Sequence, residues 1–186
     1  MEVRHKVADF KKWLASYDAN DSLRLANGVH SYVIGRGVKD SNTVQVALKV
    51  DDINKAKAFA KHPSLKQAMQ KSGVIGAPLI NFTTMTYQDT GTIDSDLRSR
   101  TTLTAKDWDR WQRSHDSSRQ TRNDNGLMDR AYGHDIDNNH KVTLILAVID
   151  TAKAFAFWKS DQLKKLQAAG GVSQPERFVY RVVKRY

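Results

Sequence analysis

The chain has 186 residues, enough for one domain or two small ones, and 40% hydrophobic content supports a buried core. It contains no Cys, which excludes a disulfide framework, a thiolate metal site and a Cys nucleophile. The formal charge of +10 raises polyanionic partners, but the cations are spread along helical stretches (Lys11, Lys12, Lys55, Lys57, Lys61, Lys66, Lys71) and gather only in the final RVVKRY, as on a solvated surface.

MEVRHKVADFKKW carries charges where a secretory signal needs an apolar stretch, and no window approaches the roughly 18 apolar residues of a membrane span; a cytoplasmic protein is expected. VRHKV then reads as a short strand. ADFKKWLASYDANDSLRLAN reads as one helix with Phe10, Trp13, Leu14 and Tyr17 on a single stripe. Asn27-Gly28 stops it, because Gly tolerates the left-handed conformation at a helix end. VHSYVIGRGV and TVQVALKV follow as strands around the turn KDSN. In KAKAFAKHPSLK the residue before Pro63 is disfavoured as helix, so His62 ends one helical piece and Pro63 begins the next. PLINFTTMTY is the last strand of this series.

The series then repeats. Shifted by 98 residues, Glu2–Met85 matches Arg100–Val183 without a gap. Asp9, Trp13, Ser16, Asp18, Arg24, Asn27, Gly28 and Gly35 meet Asp107, Trp111, Ser114, Asp116, Arg122, Asn125, Gly126 and Gly133. Lys55, Ala56, Ala58, Phe59, Lys61, Leu65 and Lys66 also meet identical residues, in KAFAFWKSDQLK. Duplication of a unit of this length implies two small domains: repeat 1 over residues 1–88, a linker over 89–96 and repeat 2 over 97–186. In the second copy Thr104 and Asp107 read as a capping box, and Ser160 stands as an N-cap at the place of His62.

Each copy orders its elements βαββαβ, the ferredoxin-like split pattern of an α+β fold, with strand order 4-1-3-2 and both helices on one face of an antiparallel sheet. The third strands, around Val44 to Val50 and Val142 to Val148, have no fully polar face, which implies burial on both sides. The simplest cover for the second face is the other repeat's sheet, the two packing as an intrachain α/β barrel.

D-x-x-x-W with a downstream R-x-x-N-G, D-S-N at the central turn, A-x-x-F or A-x-F before H-P-x-L, and G-V leading to the last strand together resemble the dimeric α/β barrel superfamily. Within it, the pattern is similar to the bacterial proteins labelled "cyclase" or antibiotic-biosynthesis-monooxygenase-like. The superfamily holds cofactorless monooxygenases, haem-degrading enzymes, polyketide cyclases and members without known activity. The resemblance implies a ligand cavity between the sheet and the helices of each half, with one chain of two repeats standing for a dimer of single ones.

That places Phe10, Trp13 and Tyr17 in one half, and Trp108, Trp111 and His115 in the other, either as core stripes or as cavity walls. Arg24 and Arg122 are structural ion pairs, with Asp18 and Asp116 as partners, or anion clamps. The six histidines show no H-x-x-H or H-E-x-x-H spacing, so no local metal motif is present. His140 falls in a hairpin turn and His62 at a helix break. His5, aligned with Leu103, and His134, aligned with Arg36, remain core residues or site residues. An oxygenase or cyclase without a cofactor would use His5, Tyr17 or His115 as base, with Trp13, Arg24, Trp108, Trp111, Arg122 and His134 holding the ligand. The alternative is a barrel that binds a small molecule without catalysis or serves only as scaffold. RNA-recognition motifs share the topology but stack bases on strand aromatics, and VRHKV, TVQVALKV and VTLILAV contain none. A small-molecule ligand is expected, with no nucleic acid and no membrane. The expected assembly is a monomer with an internal pseudo-dimer, or a homodimer of it.

Overall fold

The computed structural model describes Met1–Tyr186 as nine strands and eight helices, an α+β protein, in two compact units. The first unit is Met1–Phe82 with Arg181–Tyr186, and the second is Thr83–Tyr180. No helix is long and apolar enough to cross a membrane.

In the first unit β1 (Glu2–Val7), β2 (Val29–Gly37), β3 (Thr43–Val50) and β4 (Val74–Asn81) take the order β4-β1-β3-β2. The pairs are antiparallel, with His5 opposite Val44 and Ile34 opposite Val46. The second unit builds the same order from β9 (Val172–Arg185, through Tyr180), β6 (Leu97–Ala105), β8 (Lys141–Val148) and β7 (Leu127–Asp135), and adds β5 (Thr83–Gln88) outside β7. The repeat boundaries at 88 and 97 therefore differ from the compact units at their ends. Thr83–Gln88 pairs with β7 rather than within repeat 1. Arg181–Tyr186 joins the first unit, where the Tyr186 amide donates to the Tyr32 carbonyl at 3.1 Å. Gly133 permits the close approach of β5, since a Cβ there would run into the Thr84 carbonyl.

The first long helix is two: α1 (Phe10–Ala19) and α2 (Asp21–Leu25), with α5 (Trp108–Ser117) and α6 (Arg119–Asp124) as their copies. The Asn20 amide bonds back to the Ser16 and Tyr17 carbonyls, which tightens the turn there and redirects the chain. Gly28 and Gly126 take φ of 63° and 70°, the left-handed stop expected from Asn-Gly. The second helices also divide as expected: α3 (Ile53–Lys61) ends at His62, whose Nδ1 accepts from the Ser64 amide at 3.2 Å to open α4 (Pro63–Lys71). In the copy, α7 (Thr151–Trp158) gives way to α8 (Asp161–Ala169), capped by Ser160 Oγ accepting from the Leu163 amide at 3.2 Å. Ser160→Ala should cost about 1 kcal/mol in a urea melt, the ordinary worth of an N-cap. Thr104 is not part of a capping box. It lies in β6, and Asp107 is itself the N-cap, accepting from the Arg110 amide at 2.7 Å.

Alternate strand residues aim at the helices and build the apolar cores. Val3, Val7, Val29, Ile34, Val44 and Val46 pack with Trp13, Ala56 and Phe59 in the first unit. Leu127, Leu146 and Val148 pack with Ala154 and Phe157 in the second, beside a cluster of Leu103, Trp111, Tyr132 and Val142. The other face is buried too, but with polar rather than apolar groups: Glu2, Gln45, Arg98, Arg100 and Thr143 are all 5% exposed or less.

Candidate functional site

Each unit has a cavity beneath its first helix, against the sheet; the first unit also has a wider one, of about 420 Å³, between α4 and β4. Of the two beneath the first helices, the first, of about 70 Å³, is lined by Val3, His5, Trp13, Ser16, Tyr17, Arg24, Val46, Phe59 and Leu65 among others. The second, of about 80 Å³, is lined by Thr101, Leu103, Trp111, Ser114, His115, Arg122, Leu144, Phe157 and Leu163. Position by position these are the same places in the two repeats. Duplication has thus copied a hollow as well as a scaffold, and the residues that changed since show how the two now differ.

The first cavity is mainly apolar. Trp13 stacks on Tyr17 at 5.1 Å and lies 5.4 Å from His5, ring centre to ring centre. His5 is 7% exposed and neither ring nitrogen has a hydrogen-bond partner. Burial pushes its pKa down to about 4, so the ring is neutral at pH 7. The Tyr17 hydroxyl meets Ser31 Oγ at 2.8 Å, and burial raises its pKa. Arg24 sits 3.7 Å from the centre of the Tyr17 ring, donates to the Tyr17 carbonyl at 2.7 Å and pairs with Asp21 at 2.9 Å. Its partner is therefore Asp21 and not Asp18, which instead accepts from Lys184 at 2.8 Å and from the Tyr186 hydroxyl.

The second cavity has a charged wall. Position 17 is now His115, and the residue across from it, Ser31 in the first repeat, is now Asp129. Asp129 accepts both arms of Arg122, at 2.7 and 2.6 Å, and all three side chains are buried. His115 Nε2 lies 3.4 Å from Asp129 Oδ1, a looser contact than the guanidinium fork. Arg119, standing where the first repeat has Asp21, approaches Asp129 at 3.4 Å. The acid that serves the retained arginine has thus moved from the helix turn, at Asp21, to the strand, at Asp129. Arg122 also donates to the His115 carbonyl at 2.7 Å and to Ser118 Oγ at 2.9 Å.

The electrostatics follow from this packing. Burial would raise the Asp129 pKa, but the close approach of His115 and the two hydrogen bonds from Arg122 outweigh it and hold the carboxyl well below the usual range. For His115, burial is the larger effect and lowers the pKa despite the Asp129 contact, leaving a neutral imidazole. Tyr132, in the core beside Trp111, stands edge-on to His115 at 5.0 Å, its hydroxyl donating to Asp116 at 2.8 Å; burial, and then that bond, push its pKa up to about 12.

The sequence candidates divide cleanly in space. His5, Trp13, Tyr17 and Arg24 meet at the first cavity, and Trp111, His115 and Arg122 at the second. Trp108 and His134 pack on each other edge to face at 4.7 Å and line neither. His134 is held by its Nδ1–H donating to the Asp135 carbonyl at 3.0 Å. No group of three or more His, Asp or Glu side chains is placed to share a metal ion. Sequence reasoning missed Ser31, Asp129 and Arg177. The signal was available: positions 17 and 31 change together, Tyr with Ser and His with Asp.

No family model and no curated protein matches the chain. Solved structures do, across nearly its whole length. One is a proposed monooxygenase from Fusobacterium nucleatum, with TM-score 0.60 and 14% identity over 98% of this chain and 91% of that one. A proposed chlorite dismutase gives 0.61 and 11% over 98% and 94%. A ferredoxin-fold protein from Listeria monocytogenes, related to antibiotic biosynthesis monooxygenases, gives 0.50 and 9% over 99% and 95%. Likeness at such identities establishes a ferredoxin-like α+β fold, and the differing names of these proteins leave the chemistry to the residues.

Proposed function

We propose that the chain is a cofactor-independent monooxygenase or cyclase for a small aromatic or polyketide-like molecule, working in the cavity of the second unit. The carrying observation is the buried, neutral His115 on the cavity wall, turned by Nε2 toward Asp129. With the proton on Nε2, facing the carboxylate, the lone pair resides on Nδ1, and the ring acts as a general base at neutral pH. It would take a proton from an acidic C–H or phenol of the substrate. In the oxygenase version the resulting carbanion reduces O2, one oxygen atom ending as a new carbonyl and the other as water. In the cyclase version it attacks a carbonyl of the same molecule.

The cavity volume narrows the substrate. A benzene ring occupies a cavity of about 150 Å³, and the space here is about 80 Å³. Only the reacting end of the molecule enters. The same proposal takes the two halves as tandem ferredoxin-like repeats packed into one intrachain barrel. It is supported by the ungapped repeat and by the end segments, Thr83–Gln88 and Arg181–Tyr186, each belonging to the unit of the other repeat.

The second reading, a non-catalytic binding protein, is favoured by the two-armed Arg122–Asp129 pair, which serves structure as readily as chemistry. Oxygen uptake, together with product detection by mass spectrometry because a cyclisation consumes no O2, over a panel of phenols and 1,3-dicarbonyl compounds separates the two. His115→Phe, which keeps a ring stacked on Trp111, should lower turnover by about 100-fold or more, the ordinary worth of a general base. If His115→Phe turns over as fast as the parent protein, His115 is not the base; if no compound reacts with a correctly folded protein, the binding reading stands.

A further inference from the structure

The second cavity contains a cation without a counter-charge. Arg177, on β9, lines it with Nε buried and without a hydrogen-bond partner, and no carboxylate is paired with the guanidinium. The group is held against the Trp158 ring, 4.4 Å from its centre, and Trp158 lines the same cavity. Burial lowers the Arg177 pKa to about 10, which leaves it cationic at neutral pH. Arg122 differs in this respect, since Asp129 matches both its arms.

The first repeat provides an internal control. At the places of Arg177 and Trp158 it has Leu79 and Ala60, and neither lines the first cavity. The charge and its aromatic platform are thus features of one hollow only, added to a lining that is otherwise equivalent.

We propose that the second cavity binds the carboxylate of a small acid, with Arg177 as the anion-binding residue and Trp158 as the surface that fixes the plane of its fork. A guanidinium presents parallel N–H donors at the spacing of two carboxylate oxygens. Stacking on an indole orients the fork at little cost in charge, because the ring face attracts cations. Ser114 and Gln167, also on the wall, supply neutral hydrogen-bonding groups. A cavity of about 80 Å³ admits a group the size of formate or acetate. The proposal rests on the same cavity as the functional reading above, and names the anionic end of its substrate, but it does not require turnover.

The test is calorimetric titration of the full-length protein with acetate and formate at ionic strength held constant with NaCl. Acetamide serves as the uncharged isostere of acetate and inorganic phosphate as a tetrahedral competitor. The expected result is one acetate site, with acetamide at least tenfold weaker and phosphate weaker than acetate. Arg177→Leu, which copies Leu79, should lose at least tenfold in acetate affinity while melting at a higher temperature, because it removes a partly buried charge whose Nε has no partner. Arg177→Lys keeps the charge without the fork and should fall between. No acetate or formate binding to the parent protein, equal binding of acetate and acetamide, a preference for phosphate, or unchanged affinity in a folded Arg177→Leu would each overturn the proposal. Acetate binding without turnover of any compound removes the oxygenase reading alone. Turnover without Arg177-dependent acetate binding removes this one alone.

Discussion

Asp129→Ser is expected to lower the stability of the protein by about 3–5 kcal/mol, the cost of stripping one partner from a buried ion pair. The loss is large because Arg122, only 5% exposed, then has no carboxylate, while Arg119 remains nearby as a second cation. The repeat itself suggests the repair. In the first unit the equivalent of Asp129 is Ser31, and Arg24 is served instead by Asp21, at the place of Arg119. Adding Arg119→Asp to Asp129→Ser should therefore recover about half of the loss, on the order of 2 kcal/mol. Arg119→Asp alone should not stabilise, because it brings a second carboxylate toward Asp129. Urea melts of the parent, both single variants and the double variant close a thermodynamic cycle. Coupling near zero would show that the acid has not been exchanged between two equivalent places.

His5→Leu is expected to flatten the acid limb of stability. The folded-state pKa of His5 lies at about 4, below the ordinary value near 6.5, so the native state favours the neutral ring. Above pH 6.5 neither state binds this proton and stability is independent of it. As pH falls from 6.5 to 4 the unfolded chain takes the proton first, and stability declines; below 4 both states are protonated and the decline stops. Each unit of pKa difference corresponds to about 1.4 kcal/mol, so His5 accounts for a loss of about 3 kcal/mol across the window. His115 shifts in the same direction and contributes with the same sign. Leucine is what the second repeat carries at this place, Leu103, and it also removes two ring nitrogens buried without partners. His5→Leu should thus be more stable than the parent at pH 7 by about 1–2 kcal/mol. The gap should widen by about 2 kcal/mol at pH 5. Equal pH slopes in urea melts of the two proteins would contradict the assignment.

What was legible in the sequence was what is local or what is copied. The Gly28 and Gly126 stops, the His62–Pro63 break and the Ser160 cap depend on neighbours within a few residues, and each stands where expected. The ungapped repeat carried the strand order 4-1-3-2 into both halves. The division at Asn20 was hidden because the apolar stripe runs on through the turn. The capping box at Thr104 went wrong because β6 extends to Ala105 and leaves Asp107 to cap alone. The crossing of Thr83–Gln88 and Arg181–Tyr186 into the other repeat's unit was illegible, since strand pairing over such separations leaves no periodicity to read. The site was partly legible for a related reason. Aromatics and arginines on the first helices could be placed by helical spacing. Asp129 and Arg177 lie on strands, and their meaning depends on what faces them. Both could have been singled out by asking where the repeats disagree: Ser31 against Asp129, Leu79 against Arg177.

The two cavities occupy equivalent places, each with a buried neutral imidazole and a paired arginine, yet only the second adds an arginine without a counter-charge. A crystal structure of the protein soaked in formate reads that asymmetry directly. The expected result is planar density within hydrogen-bond distance of Arg177 in the second cavity and none beside His5 in the first. Density in the first cavity, or in neither, would contradict the assignment of chemistry to the second repeat.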